Sequence, residues 1–323
     1  MATYKGIHGY NIDAVSSDPP SPQEGQVWYN TDSGVLKYAT GSGAWSGGGN
    51  LGSGRYSPAQ WGTQTASMIT GGGYPSPIST SEIYDGSTWS ASPSLIAART
   101  FNFIGVGTTS SAMVAAGNVG APSYATMNST ETWNNTAWST SPATTTVSVS
   151  GVSCAGLKPS ALGFGGGPST QSMSWNDTSW AATNSMSGTG TREQTGTGTK
   201  TAAISFGGKV DPPFLNKIET WNDTCWTTSP GTLLAARYGA AAFGTTTSAV
   251  VTGGYGPGLL NSTEIWNGTS MTAGAVYPAA QATMPGCGTS SLGLVAGGES
   301  PSTSDSNTTT EWSDPVIKTV TVS

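Results

Sequence analysis

Residues 217–230 read KIETWNDTCWTTSP. The phrase returns with small changes: STETWNNTAWSTSP ends at Pro142, and TSEIYDGSTWSASP ends at Pro93. A chain that repeats one phrase at a steady period is built from one structural unit laid beside copies of itself, and this signal outranks any single motif. Aligned on the aromatic of the phrase, the anchors are Tyr84, Trp133, Trp175, Trp221, Trp266 and Trp312, with steps of 49, 42, 46, 45 and 46 residues. A second aromatic follows five residues later at Trp89, Trp138, Trp180 and Trp226. Met271 and Ile317 stand at that spacing in the last two copies. Ahead of each anchor a short apolar run closes on small residues: Gly72-Gly73, Ala116-Gly117, Gly166-Gly167, Gly207-Gly208, Gly253-Gly254 and Gly297-Gly298.

One unit therefore reads as four short strands. The first begins near an Arg, the second ends at the double glycine, the third carries Glu-x-Trp-Asn, and the fourth runs from the second Trp towards Ser-Pro. Apolar runs of four to eight residues bounded by Gly, Asn, Asp and Pro are strand signals. Asp85-Gly86 and Asn267-Gly268 suit hairpin turns that need positive φ, and Asn-Asp-Thr fills the same turn at 176–178 and 222–224. No segment keeps a 3.6-residue apolar period, so essentially no helix is expected. Four strands in about 45 residues is the pattern of a β-propeller blade.

The repeat resembles the kelch repeat. The double glycine, the Tyr or Trp beyond a variable loop, and the second Trp opening the last strand carry the likeness, over roughly residues 52–323. Two copies depart from it: QSMSWN at Trp175 lacks the Glu, and Glu311 precedes Trp312 by one place, not two. The resemblance implies an all-β, kelch-like β-propeller of six four-stranded blades over 51–323, with residues 1–50 as an N-terminal arm and hairpin. Seven blades, closed by pairing the head with the C-terminal VIKTVTVS, is the alternative.

Residues held at one repeat phase meet the same neighbours in each blade. Glu82, Glu131, Glu219 and Glu264 share such a phase, and the four arginines, Arg55, Arg99, Arg192 and Arg237, precede their double glycines at nearly equal distance. They read as structural Arg–Glu pairs at blade junctions, since a planar guanidinium fits a carboxylate fork. Catalysis would call for a unique residue instead. Trp133, Trp175, Trp221 and Trp266 read in the same way as wedges between blades rather than platforms for sugars.

Much chemistry is excluded. His8 is the single histidine, which removes His-based triads and multi-His metal sites. GTGTKT at 196–201 lacks the Gly that a phosphate loop needs before Lys200. The net charge of −6 and the lack of any basic run speak against nucleic acid. No 18-residue apolar stretch exists to span a membrane, and the start MATYKGIHGYNIDAV has no apolar core of a secretory leader. Cys154, Cys225 and Cys287 are too scattered for a disulfide framework and read as small buried or half-buried thiols. Seven Asn-x-Ser/Thr sequons, at Asn128, Asn134, Asn176, Asn222, Asn261, Asn267 and Asn307, read as turn chemistry. Catalytic residues, a metal and a cofactor are accordingly not expected. The off-repeat acids Asp211, Glu193 and Glu299 carry no sign of converging.

The head departs from the repeat. SSDPPSPQEG (16–25) is a proline-stiffened lead, and QVWYNTDSGVLKYATGSGAWS reads as a hairpin turning at Thr31-Asp32-Ser33-Gly34. From Gly25 to Tyr38 and Gly41 to Trp45 it resembles a motif of bacteriophage tail-fibre and other virion proteins. That resemblance implies a virion structural protein, made in the host cytoplasm, that joins other virion proteins through residues 1–50. The propeller would face outward as a tail-fibre or tail-associated appendage for host attachment. Its loops between second and third strands, GYPSPISTS (73–81), GNVGAPSYATMNS (117–129) and KVDPPFLNK (209–217), vary while the strands do not. Rigid scaffolds present binding loops in this manner, so Tyr74, Tyr124, Phe214, Asn216 and Tyr255 are the candidates for contact with host-surface carbohydrate. A homo-oligomer is compatible with this reading. A capsid or tail decoration protein and a glycan-cleaving propeller enzyme are the alternatives.

Overall fold

The computed structural model describes residues 12–19, 25–40, 43–101, 103–167, 169–188, 191–210, 213–314 and 316–320. Among them the chain is all-β, with no helix, and its strands form seven four-stranded sheets. Six of these are blades. Blade 1 is Ala59–Thr63, Ala66–Thr70, Ser81–Tyr84 and Trp89–Ser92; blade 2 is Ile104–Gly107, Ala112–Ala115, Ser129–Trp133 and Trp138–Thr144. Blade 3 is Ser153–Leu157, Ser160–Phe164, Ser172–Trp175 and Trp180–Thr183; blade 4 is Thr195–Gly198, Ala203–Phe206, Ile218–Trp221 and Trp226–Thr228. Blade 5 is Ala241–Gly244, Ala249–Thr252, Thr263–Trp266 and Met271–Ala273. Blade 6 is Gly286–Gly288, Leu292–Ala296, Thr309–Ser313 and, from the other end of the chain, Ala44–Gly47. The first strands stand side by side in a closed ring, blade 6 against blade 1. The fold is a six-bladed β-propeller.

Three repeated contacts hold it. The Asn of each hairpin turn accepts two backbone N–H groups through Oδ1, for example Thr136 at 3.1 Å and Ala137 at 2.9 Å on Asn134. Asn176, Asn222, Asn267 and Asp85 do the same, so these sequons are occupied as turn caps. In four blades the third-strand Trp is buried and donates to a carbonyl of its own blade's first hairpin: Trp133 to Thr109, Trp221 to Lys200, Trp266 to Thr246, Trp312 to Ser290. The fourth-strand Trp reaches the preceding blade. Trp180 Nε1 donates to Thr130 Oγ1, Trp226 to Ser172 Oγ, and Trp89 to Thr309 Oγ1 across the closure. It is this second Trp, more than the anchor, that wedges blades together.

The sixth blade corrects the sequence reading. Ile317 does not stand opposite Trp312, and the six blades are not contained within 51–323. Ala44–Gly47 supplies the outer strand, pairing Trp45 with Trp312 as Trp138 pairs with Trp133. Trp45 Nε1 donates to Thr263 Oγ1 of blade 5 at 3.1 Å, as its counterparts do. A boundary at residue 50 therefore cuts through a blade. The ring closes by interleaving the two ends of the chain, so the join is held by a full set of ladder bonds rather than by one covalent edge.

The rest of the head forms the seventh sheet, outside the ring. Val27–Asn30 and Val35–Thr40 make the expected hairpin, with Asp13–Val15 added parallel on one side and Val316–Thr319 antiparallel on the other. The pairing of the head with the C-terminus, expected of a seventh blade, is real but adds no inner strand. Four strands also remove the weakness of a lone hairpin. Asp18 ties the sheet: its carboxylate accepts from Lys37 Nζ at 2.7 Å, Trp28 Nε1 at 3.0 Å and Asn30 Nδ2 at 2.8 Å. Those bonds, Lys37 first, hold its pKa down at about 2, from the usual 3.8. Because the folded value is depressed, the contribution of Asp18 is intact above the ordinary carboxylate range and is lost as pH falls through about 2. The Trp28 indole N–H resonance should therefore stay native at pH ~4 and collapse near pH ~2. Asp18→Asn should disturb that resonance already at neutral pH while the Trp133 indole is unmoved. A Trp28 signal insensitive to both would show that something other than Asp18 holds the sheet.

Candidate functional site at the mouth of the channel

The double-glycine end of the ring is where the loops gather. Each first strand there is preceded by a residue whose carbonyl accepts the N–H of the residue after the double glycine, with the reverse bond as well in four blades. These pairs are Tyr56 with Gly73, Thr100 with Asn118, Ser150 with Gly167, Arg192 with Lys209, Tyr238 with Tyr255, and Ala282 with Glu299. One residue further, Ser57, Phe101, Gly151, Glu193, Gly239 and Thr283 all have φ between 48° and 69°. Their backbones bond blade to blade: Gly151 N–H to Phe101, Glu193 to Gly151, Gly239 to Glu193 and Thr283 to Gly239. This inner rim sets the mouth of the channel. Phe101 and Glu193 hold a left-handed backbone without being glycine, a cost that persists where the surroundings demand it and that clusters at functional sites.

The rim also resolves the arginines. Gly72, Gly208 and Gly298 N–H groups donate to the carbonyls of Arg99, Arg237 and Arg55, and Gly166 donates to Thr191. The blade-4 member of that phase is thus Thr191, and Arg192 lies one residue beyond it, in the mouth. The double glycines align accordingly as Gly71-Gly72 and Gly165-Gly166 in blades 1 and 3. Arg55, Arg99 and Arg237 are buried as expected. Each donates to two backbone carbonyls and to Glu82, Glu131 or Glu264, the first two at 2.7 Å. The same carboxylates also accept the N–H groups of Gly52, of Ile96 and Ala97, and of Leu234 and Ala235. Glu219 has no arginine: Lys217 at 2.8 Å and Ser187 take its place. In blade 3 the two positions are Val149 and Met173, packed in one apolar cluster.

Two aromatic groups face each other across the mouth. On blades 1 and 2, Tyr56 lies 5.4 Å from Tyr74 and 5.7 Å from Phe101 between ring centroids, and Phe101 lies 6.1 Å from Tyr124. On blades 4 and 5, Tyr238 lies 5.3 Å from Phe214 and 5.4 Å from Tyr255. Lys209 Nζ sits 4.0 Å above the Tyr238 ring and 3.0 Å from Glu193 Oε1. Glu193 and Glu299 lie on the same rim, and burial and then the Glu193 charge push the Glu299 carboxyl up. Burial, then the charges of Glu193 and Glu299, raise the Tyr56 phenol and push Tyr238 up to about 12. Both phenols therefore stay protonated donors beside two carboxylates. A cavity of about 270 Å³ opens between Phe101, Tyr124, Ser150, Arg192 and Lys209.

Four of the five loop candidates, Tyr74, Tyr124, Phe214 and Tyr255, meet at this mouth. Asn216 is exposed and its carbonyl serves the Leu233 N–H instead. Asp211 lies outside the described residues. Sequence reasoning missed Tyr56, Phe101, Tyr238 and Lys209 as site residues; the residue or two after each Arg phase would have pointed to the first three. Glu193 and Glu299, which carried no sign of converging in the sequence, share the rim, because the ring brings blade 4 and blade 6 to one axis. The channel below, about 240 Å³, is walled by first-strand backbone and small residues. Cys154 and Cys287 line it as thiols pushed up by burial to about 11 and about 12, hence inert at neutral pH. Cys225 is exposed, not buried.

No family model matches the chain, and no curated protein matches it. Solved structures do: the structure of YjhT superposes with a TM-score of 0.68 at 12% identity, over 83% of this chain and 99% of that one. At that identity the likeness is one of fold.

Proposed function

We propose that this protein binds carbohydrate through the mouth of its propeller, as the outward-facing part of a bacteriophage particle. The observation that carries the reading is the mouth itself, where seven half-exposed aromatic rings surround Arg192, Glu193, Lys209 and Glu299. Aromatic faces stack on the apolar faces of sugar rings while phenols, carboxylates and cations bond their hydroxyls. Kelch ancestry of the blades and attachment through the head belong to the same reading, on the sequence resemblances above. So does assembly with other virion proteins through residues 1–22, which lie ahead of the hairpin. Cutting them away should leave a folded propeller that no longer enters particles.

Tyr124→Ala and Tyr255→Ala test the site. Both rings are partly exposed, so the melting temperature should hold. Retention on intact host cells, or on an array of bacterial surface glycans, should fall about tenfold or more for each, the scale of one or two aromatic contacts. Undiminished retention by both variants would dismiss the mouth as the binding surface.

Two carboxylates on one rim, Glu193 and Glu299, are the basis of a second reading, glycan cleavage, which needs two carboxyls across one bond. Release of reducing ends from a bound glycan, lost in Glu299→Gln, would establish it. Binding without release keeps the protein a binding module.

A further inference from the structure

The six blades do not contribute equally to the mouth. Tyr56, Tyr74, Phe101 and Tyr124 come from blades 1 and 2, and Phe214, Tyr238 and Tyr255 from blades 4 and 5. In a ring of six these pairs of blades are opposite each other. Blades 3 and 6, also opposite, place no aromatic ring at the same rim positions: Ser150, Gly151 and Gly167 in one, Ala282, Thr283 and Glu299 in the other. A Cβ built on Gly167, beside Ser150, would meet nothing within 4 Å. The mouth is thus two aromatic walls with a gap at each end, with Arg192, Glu193 and Lys209 on the rim of blade 4 and Glu299 on that of blade 6.

We infer that the mouth is a through-groove that holds internal units of a glycan chain, running from blade 3 to blade 6, rather than a pocket for a chain end. A closed pocket would need a wall at blade 3 or blade 6, and neither carries a ring there. A run of sugars laid along the groove meets an aromatic wall on each side and the Lys209–Glu193 pair and Glu299 on the rim. This inference rests on the carbohydrate reading, and it adds the polymeric nature of the ligand and its direction across the propeller.

The probes are fragments of bacterial capsule, O-antigen and teichoic acid, graded from one sugar to eight, with reducing ends intact or reduced to the alditol. For the bound species, affinity should rise at least tenfold between one and four units, and reduction of the end should not matter. Ser150→Trp, which walls the blade-3 gap, should weaken fragments of four or more units at least tenfold. Ser300→Trp does the same from the blade-6 end and stands in if the first variant fails to fold. No fragment bound by the unaltered protein would sink the carbohydrate reading. A fragment bound equally at every length, or lost on reduction of its end, would overturn the groove alone.

Discussion

Arg237→Ala should lower the unfolding free energy by about 3–5 kcal/mol, the cost of stranding one member of a buried ion pair. The guanidinium is 1% exposed and satisfies the carbonyls of Gly253 and Ser262, with Glu264 as its charge partner. Removing it leaves Glu264, also buried, with only the Leu234 and Ala235 N–H groups and an uncompensated charge. Intact, the pair adds little net stability, because burial penalises the charge that Glu264 then favours. The molecule contains its own control. Blade 3 keeps the same fold with Val149 and Met173 at these positions. Arg237→Val combined with Glu264→Met should therefore cost much less than Arg237→Ala, by at least about 2 kcal/mol. Denaturant titration of the three proteins decides it. An unchanged midpoint for Arg237→Ala, together with lost glycan binding, would make the arginine a ligand residue after all.

Removing residues 1–47 should prevent the propeller from folding as a closed ring, whereas removing 1–22 should not. The longer deletion takes away the outer strand of blade 6 and with it Trp45. That ring lies 4.9 Å from Tyr277 and 5.1 Å from Trp312 and bonds blade 5 through Thr263 and the carbonyl of Ala275. Its loss bares the Thr309–Ser313 edge and the apolar group of Phe243, Tyr277 and Trp312. An open edge over an apolar face aggregates. The milder change Trp45→Ala should cost about 3 kcal/mol, the lower end for a core tryptophan because the ring is half-exposed. The shorter deletion removes Asp13–Val15 and Asp18, so the head sheet loosens while all six blades keep four strands. Soluble expression and melting curves of both deletions report the outcome. A 1–47 deletion that melts like the full chain would mean that blade 6 closes without the N-terminal strand.

The two variants separate what is legible along the chain from what is not. Strand order, the Asn and Asp turn caps, the anchor tryptophans and three of the four Arg–Glu pairs all follow from contacts within one period, so residues at one phase meet the same neighbours and can be read from the repeat itself. Trp45 could not be read so. Its partner Trp312 sits at the far end of the chain, and nothing local distinguishes a strand that closes a ring from the start of an arm. Arg192 failed for a finer reason. One residue of slip in blade 4 puts Thr191 in the buried phase and turns Arg192 into the mouth, and a spacing that varies by a residue or two hides such a slip. The placing of Glu193 and Glu299 on one rim, and the opposition of the two aromatic walls, were decided by closure of the ring. It sets residues from blades far apart in sequence around one axis, while the repeat carries information only about the blade and its neighbours.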